Sequence, residues 1–248
     1  MISNCGHDEN GKYSNGKAGD QTGSEWSLIP WYSRPWNVVL RHPDGTVREL
    51  IAQLATECAN NDHIGYDQNS DSDNDGGRYS LWSQLKANDY DPRKITKDCE
   101  TDCSNGVACI IKAAGYLLGD KALQGVSIYS YTGNLKKVLQ AAGFEALTDK
   151  KYLTSDDYLY AGDVLLYEGH HTAINITNGK HCQTYEVGWN KSSSGQWWYS
   201  TDGTDKSYYS NGVYLIDGKY YAFDTDGWLA THTGRFTTDD DGAINGIM

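Results

Sequence analysis

The sequence predicts an α+β domain, a helix packed on an antiparallel sheet, followed by a small module of aromatic β-hairpins. Three observations predict it. Residues 103–118 repeat apolar side chains at helical spacing, with Val107, Ile110, Ile111, Ala114 and Leu118 on one stripe. Downstream, "GDVLLYE" (162–168) reads as a strand, and "HHTAINITNGKHCQTYEV" (170–187) alternates around Asn178-Gly179, a strong hairpin signal. Beyond about residue 190, Ser, Gly, Trp, Tyr and Asp take over. There "WWYSTDG" (197–203), "YYAFDTDG" (220–227) and "RFTTDDDG" (235–242) each join extended aromatic residues to an Asp-Gly turn. Such units bury little alone and stack in series. The expected division is 1–190 for the first domain and 191–248 for the module.

Taken in order, residues 1–36 are rich in Gly, Asn and Trp and read as ordered loop. Segment 44–61 carries Val47, Leu50, Ile51, Leu54 and Cys58 at helical period, with Asp44 as its cap. Residues 67–78 are a polar excursion in which Asp71, Asp73 and Asp75 mimic the start of a calcium loop. Trp82 stands where the bidentate acid of such a loop belongs, so a solvated loop is the expectation. The helix from Asp102 or Cys103 ends at Gly119, and a further helix over 134–143 stops at Gly143.

A chain of 248 residues suits one large domain, or a domain with a small module. Its net charge of −12, without a Lys/Arg cluster, argues against a nucleic-acid binder. Eight Trp and 19 Tyr against three Phe favour half-wet surfaces that meet sugars or cations. No run approaches the ~18 apolar residues of a membrane span. The opening "MISNCGHDENGKYSNG" lacks the basic-then-apolar order of a secretion signal. A soluble protein made in the cytoplasm is expected, with its six cysteines (5, 58, 99, 103, 109 and 182) reduced. Their spacings fit no standard zinc knuckle.

Cys103 and Cys109 stand about 600° apart around a helix, too divergent for a disulfide. Cys109 falls near the apolar stripe and reads as core. Cys103 stands at the helix start, where unsatisfied N–H groups and the dipole favour the thiolate. A thiol nucleophile needs a base, and the base needs an orienting group. "GHHTAIN" offers His170 and His171 at a strand start. His171, Ala173 and Asn175 share one face, and the small Ala173 would let a helix pack beside His171. A zinc set of His170, His171, His181 and Cys182 lacks an HExxH-like helix and a carboxylate base, so neither metal nor cofactor is expected. "GKAGDQTG" (16–23) lacks the Gly-Lys-Ser/Thr ending of a phosphate loop.

At these residues a resemblance enters. "DCSNGVACIIKAAG" resembles the Asp-Cys-Ser-x-x-Val opening of NlpC-type papain-like cell-wall peptidases, close cousins of the CHAP amidases. "GDVLLYEGHHTAINITNGKHCQ" resembles their Gly-Asp-Val strand and the His-bearing segment after it. The resemblance implies a papain-like fold in which Cys103 is the nucleophile and His171 the general base, acting on bacterial peptidoglycan. The family's third polar residue falls on Gln183, whereas strict hairpin pairing puts Glu186 opposite His171; both stay open. Tyr66, in "IGYDQ", resembles the family's cleft tyrosine near the oxyanion.

In phage and gut-bacterial lysins of this type, a Gly-Asp-Gln-Thr-Gly stretch and an aromatic Pro-Trp segment follow the third catalytic residue. Here "GKAGDQTGSEW" and "WYSRPW" precede the nucleophile, so the chain resembles a circular permutant. Those segments are expected as cleft walls, with His7 and Asp8 as further cleft residues. The tail resembles choline- or cell-wall-binding repeats, best at "YYAFDTDGWLATHTG" (220–234). That implies an aromatic cage of Trp198, Tyr221 and Trp228 for choline or another wall ligand. The whole resembles a phage or prophage endolysin, a cysteine endopeptidase that reaches the wall once a holin or lysis opens the membrane. An N-acetylmuramoyl-L-alanine amidase with the same dyad and a non-catalytic wall-binding protein are the alternatives.

Overall fold

Residues 1–36, expected as loop, hold two strands of the central sheet, β1 (Ile2–Cys5) and β2 (Trp26–Ile29). Four-residue strands carry too little alternation to be read locally; their register comes from distant partners. The computed structural model describes residues 1–69, 77–182, 185–192, 194–201, 203, 207–231, 236–238 and 244–247. Two units divide the chain, Met1–Cys182 and Gln183–Met248. Among the described residues no helix is long and apolar enough to cross a membrane.

The first unit continues with β3 (Val38–Arg41), α1 (Gly45–Ala59), β4 (Ile64–Tyr66), α2 (Ser80–Ala87), β5 (Cys99–Thr101) and α3 (Cys103–Leu118). Then come α4 (Lys121–Gln124), α5 (Leu135–Ala141), β6 (Glu145–Leu147), α6 (Lys150–Leu153), β7 (Val164–Tyr167) and β8 (His171–Asn175). Six strands form one sheet in the order β2-β1-β8-β7-β3-β6, each neighbour antiparallel. The α+β class expected from the sequence is the one observed.

The helix ends follow from single residues. Asp44 accepts from Thr46 N at 2.8 Å to cap α1. Asp102 Oδ1 accepts from Ser104 N and Asn105 N, both at 2.8 Å, to start α3. Gly119 closes α3 at φ +73°, a left-handed conformation that glycine adopts without strain. One sheet face packs Val38, Leu40, Val164, Leu166 and Ile174 against Ile51 of α1 and Ile110 and Ile111 of α3. The other buries Ile2, Val39, Leu165 and Ala173 under Trp36 and Leu159. Burial on both faces explains the unbroken apolar runs of β3 and β7, each such side chain contributing about 2 kcal/mol.

The hairpin expected at Asn178-Gly179 does not form. β8 ends at Asn175, and the edge that a returning strand would take belongs to β1, with Ile2 opposite Asn175 and Ser3 opposite Ile174. Asn178 Oδ1 accepts from Ala161 N at 2.8 Å, and Gly179 N donates to Leu159 O at 2.8 Å. A Cβ at 179 would collide with the carbonyl oxygens of Asp156 and Asp157, so the glycine serves the close approach of two loops.

In the second unit β9 (Gly188–Lys191) pairs with β10 (Trp197–Ser200), β11 (Gly212–Ile216) with β12 (Lys219–Phe223), and β13 (Phe236–Thr238) with β14 (Ile244–Ile247). β11 and β12 are joined through Asp217-Gly218, both at positive φ (+48° and +77°), as a tight hairpin turn requires. This Asp-Gly pair lies outside the three units read from the sequence. Tyr209 stacks on Tyr199 at 5.1 Å and on Tyr214 at 4.0 Å, beside the fully buried Phe223. Of the unit read at 235–242, only Phe236–Thr238 falls among the described residues.

Candidate active site

Cys103 is the first residue of α3 and is buried. The parallel pair β4–β5 sets Tyr66 opposite Thr101, two residues before the cysteine. Burial, and after it the Asp102 carboxylate, pushes the thiol up to about 12, while the N–H groups of Thr172 and Ser104 and the charge of Arg34 act against this. The expectation of a thiolate at the helix start is thus overturned. The dipole argument is local, but here the helix start lies against β8, out of water, with a capping carboxylate beside it. The Cys103 side chain is a neutral thiol.

His171 opens β8 and is also buried. Burial, and then the nearby positive charge of Arg34, brings its imidazole down to about 4. Its Nε2 donates to Asn4 Oδ1 at 2.9 Å. An amide oxygen can only accept, so the ring proton sits on Nε2 and Nδ1 is left as the basic nitrogen. Asn4 Oδ1 also accepts from Tyr32 Oη at 3.5 Å, and Tyr32 Oη accepts from Arg34 Nη1 at 3.2 Å. Asn4 escaped the sequence reading because nothing in "MISNCG" marks it. Its signal is the pairing of β1 with β8, which only the fold supplies.

Alternation along β8 turns Thr172 and Ile174 towards α3, and His171 and Ala173 towards Trp36, whose ring lies 6.0 Å from the imidazole. Ala173 therefore does not make room for α3, as had been expected; it packs with Ile2 and Leu165 on the far face. Thiol and imidazole come to the same end of β8 from its two faces. Among the described residues no hydrogen bond joins them.

A cleft of about 430 Å³ opens beside the imidazole, lined by His171, Asn4, Tyr32, Arg34, Tyr66 and Gln68 among others; the buried Cys103 is not among the residues that line it. The buried Tyr66 hydroxyl accepts from Gln68 Nε2 at 2.8 Å, and burial holds it protonated, so its own O–H can donate. "WYSRPW" supplies Tyr32 and Arg34 to this wall, as expected. "GDQTG" lines none of it and acts from behind. Asp20 accepts from the N–H groups of Thr22, Ser24, Glu25 and Trp26, and Glu25 Oε2 accepts from Tyr66 N at 2.9 Å. Glu25 is itself pushed up to about 7, chiefly by burial.

His7 lines the cleft, whereas Asp8 is buried and shapes a turn by accepting from Asn10 N and Lys12 N. His170 lines it too, stacked on Tyr167 at 4.1 Å, while His181 stacks on Tyr158 at 4.4 Å. Gln183 lies outside the described residues, as do Asp71, Asp73 and Asp75. Glu186 belongs to the second unit, its backbone N and O bonded to the Asn190 side chain. The register that would have set it opposite His171 is not formed, since β1 occupies that place.

In the second unit, Trp189, Trp197, Tyr221 and Leu229 line a hollow of about 330 Å³, with the Trp189 and Tyr221 rings 4.8 Å apart and near perpendicular. Trp198, expected in a cage, faces the other way and is buried against Tyr185 and Tyr208. Trp228 does not line the hollow; its N–H donates to Asp224 Oδ1. Strand alternation puts Trp197 rather than Trp198 on the open face.

Comparison with known proteins gives one family. A family model described as an endolysin-like domain matches residues 2–182, the span of the first unit. No curated protein and no solved structure matches the chain.

Proposed function

The chain belongs to the endolysin-like domain family, and from that premise we propose that it is a phage-type cell-wall hydrolase that cuts an amide of the peptidoglycan stem peptide with Cys103, His171 and Asn4. The observation that carries this reading is the His171 Nε2 bond to Asn4 Oδ1 inside the cleft, beside a helix that begins with a cysteine. Asn4 fixes the tautomer that leaves Nδ1 free to take a proton. With thiol and imidazole both neutral at rest, proton transfer accompanies attack: the Cys103 proton passes to His171 as Sγ adds to the carbonyl. Tyr66 O–H and the backbone N–H of Cys103, the one at the α3 start that the Asp102 cap leaves unused, hold the developing oxyanion. The imidazolium then protonates the leaving amine, and water, giving a proton to His171, hydrolyses the thioester.

The strand that flanks the histidine strand here comes from the chain's first residues. This supports the NlpC-type, papain-like reading in its permuted form, with Asn4 in the role first expected of Gln183 or Glu186. The second unit would retain the enzyme on the wall through the aromatic hollow at Trp189, Trp197 and Tyr221, whose walls suit a sugar face or an alkylammonium group.

Clearing of wall suspensions tests the proposal. Cys103→Ala and His171→Ala should lose at least about a thousandfold in rate, while His170→Ala should keep most activity. Clearing by Cys103→Ala at the wild-type rate removes the thiol mechanism. Mass spectrometry of the digest separates the two amide readings: a new N-terminal alanine marks an amidase, and a cut within the stem marks an endopeptidase.

A further inference from the structure

In a chain of net charge −12, the residues that line the cleft hold one arginine, Arg34, and no carboxylate. The other described arginines are satisfied by the protein. Arg41 pairs with Asp163, Arg78 with Asp102, and Arg93 with Asp91 and Glu57, while Arg48 bonds to the carbonyls of His42 and Pro43. The Arg34 guanidinium makes one hydrogen bond among the described residues, from Nη1 to Tyr32 Oη. A half-buried guanidinium with most of its five donors unused is set up to grip a planar anion from two sides. Its position also works against the chemistry, since its charge disfavours proton uptake by His171. A substrate anion on Arg34 would remove that opposition as it binds.

We propose that Arg34 is the specificity residue of the cleft and receives a free carboxylate of the stem peptide next to the scissile amide. The preferred substrate is then the acidic form of the peptide rather than the form amidated at that carboxylate. The proposal rests on the hydrolase reading given above and adds the chemical class of the substrate.

The test uses disaccharide–tetrapeptide muropeptides in which each free carboxylate is converted in turn to its carboxamide, with kcat/KM followed by chromatography. For the wild-type protein, one conversion should lower kcat/KM by about 10- to 100-fold, as for a charge-assisted contact. Arg34→Gln should lose a similar factor on the acidic peptide and become indifferent to that same conversion, and Arg34→Lys should fall between. Equal rates of wild-type cleavage on every peptide overturn the assignment while leaving the hydrolase in place. So does an Arg34→Gln protein that loses activity equally on acidic and amidated peptides, the pattern of a residue that only holds Tyr32, Asn4 and His171 in position. Cleavage of none of them by the wild type overturns the hydrolase reading and the assignment with it. The wild-type comparison needs no variant, so a folding defect in Arg34→Gln cannot hide the answer.

Discussion

Replacing Asn4 by Asp keeps an oxygen where His171 Nε2 donates at 2.9 Å but gives it a charge. A carboxylate about 4 Å from the imidazolium charge attracts it by about 4 kcal/mol at an effective dielectric of about 20. That is enough to raise the imidazole by about three pH units. Desolvation of the new carboxylate opposes part of the gain. His171, at about 4 in the wild type, is then expected to titrate between about 5 and about 7 in Asn4→Asp. Ring NMR gives the titration directly, and the pH dependence of kcat/KM on wall suspensions gives the acid limb of activity. Both should move together, while the plateau rate stays near that of the wild type because the tautomer is preserved. A histidine that titrates higher while the acid limb stays put would show that His171 is not the base. If neither moves, the Asn4–His171 bond is not made in solution.

Two further outcomes follow from the same geometry. The imidazole is neutral when folded down to about 4 but protonates near 6.5 when unfolded, so between these values the unfolded chain binds the extra proton. Its contribution to stability is whole above 6.5 and is lost as pH falls towards 4. Urea unfolding of His171→Gln should therefore lose about 2–3 kcal/mol less than the wild type between pH 7 and 4.5. Glu25, raised to about 7, has the opposite slope but is common to both proteins; equal losses would refute the burial of His171. Trp197→Ala, in the open hollow of the second unit, should weaken co-sedimentation with insoluble wall by about tenfold or more and leave cleavage of soluble muropeptides unchanged. An equal loss on both substrates counts against a separate wall-binding role.

What could be read in the sequence was local. The α3 stripe from Val107 to Ala114 and the Gly119 stop act within a few residues and stand where expected, whereas Leu118, at the end of the stripe, is exposed. The same holds for Asp44 at the start of α1. What could not be read depends on distant chain. β1 is a strand because β2 and β8 are there to pair with it, and Asn4 reaches His171 only through that pairing. Asn178-Gly179 had the composition of a hairpin turn, but β1 already held the edge that a hairpin would need. The thiol's protonation failed for a related reason: the helix start is visible in "TDCSNG", whereas the burial that outweighs its dipole is not. In the second unit the choice between Trp197 and Trp198 turned on strand phase, which two adjacent tryptophans leave undetermined.

The place of β1, between β2 and β8, also governs when the molecule can be complete. β1 must wait for β8, the last strand of its unit, with almost the whole unit made in between. Contacts of such sequence separation close late, after the local helices have formed. Asn4 and His171 stand 167 residues apart and meet only in that final pairing. A chain that stops before β8 therefore lacks the Asn4–His171 bond, whatever else of the unit has folded.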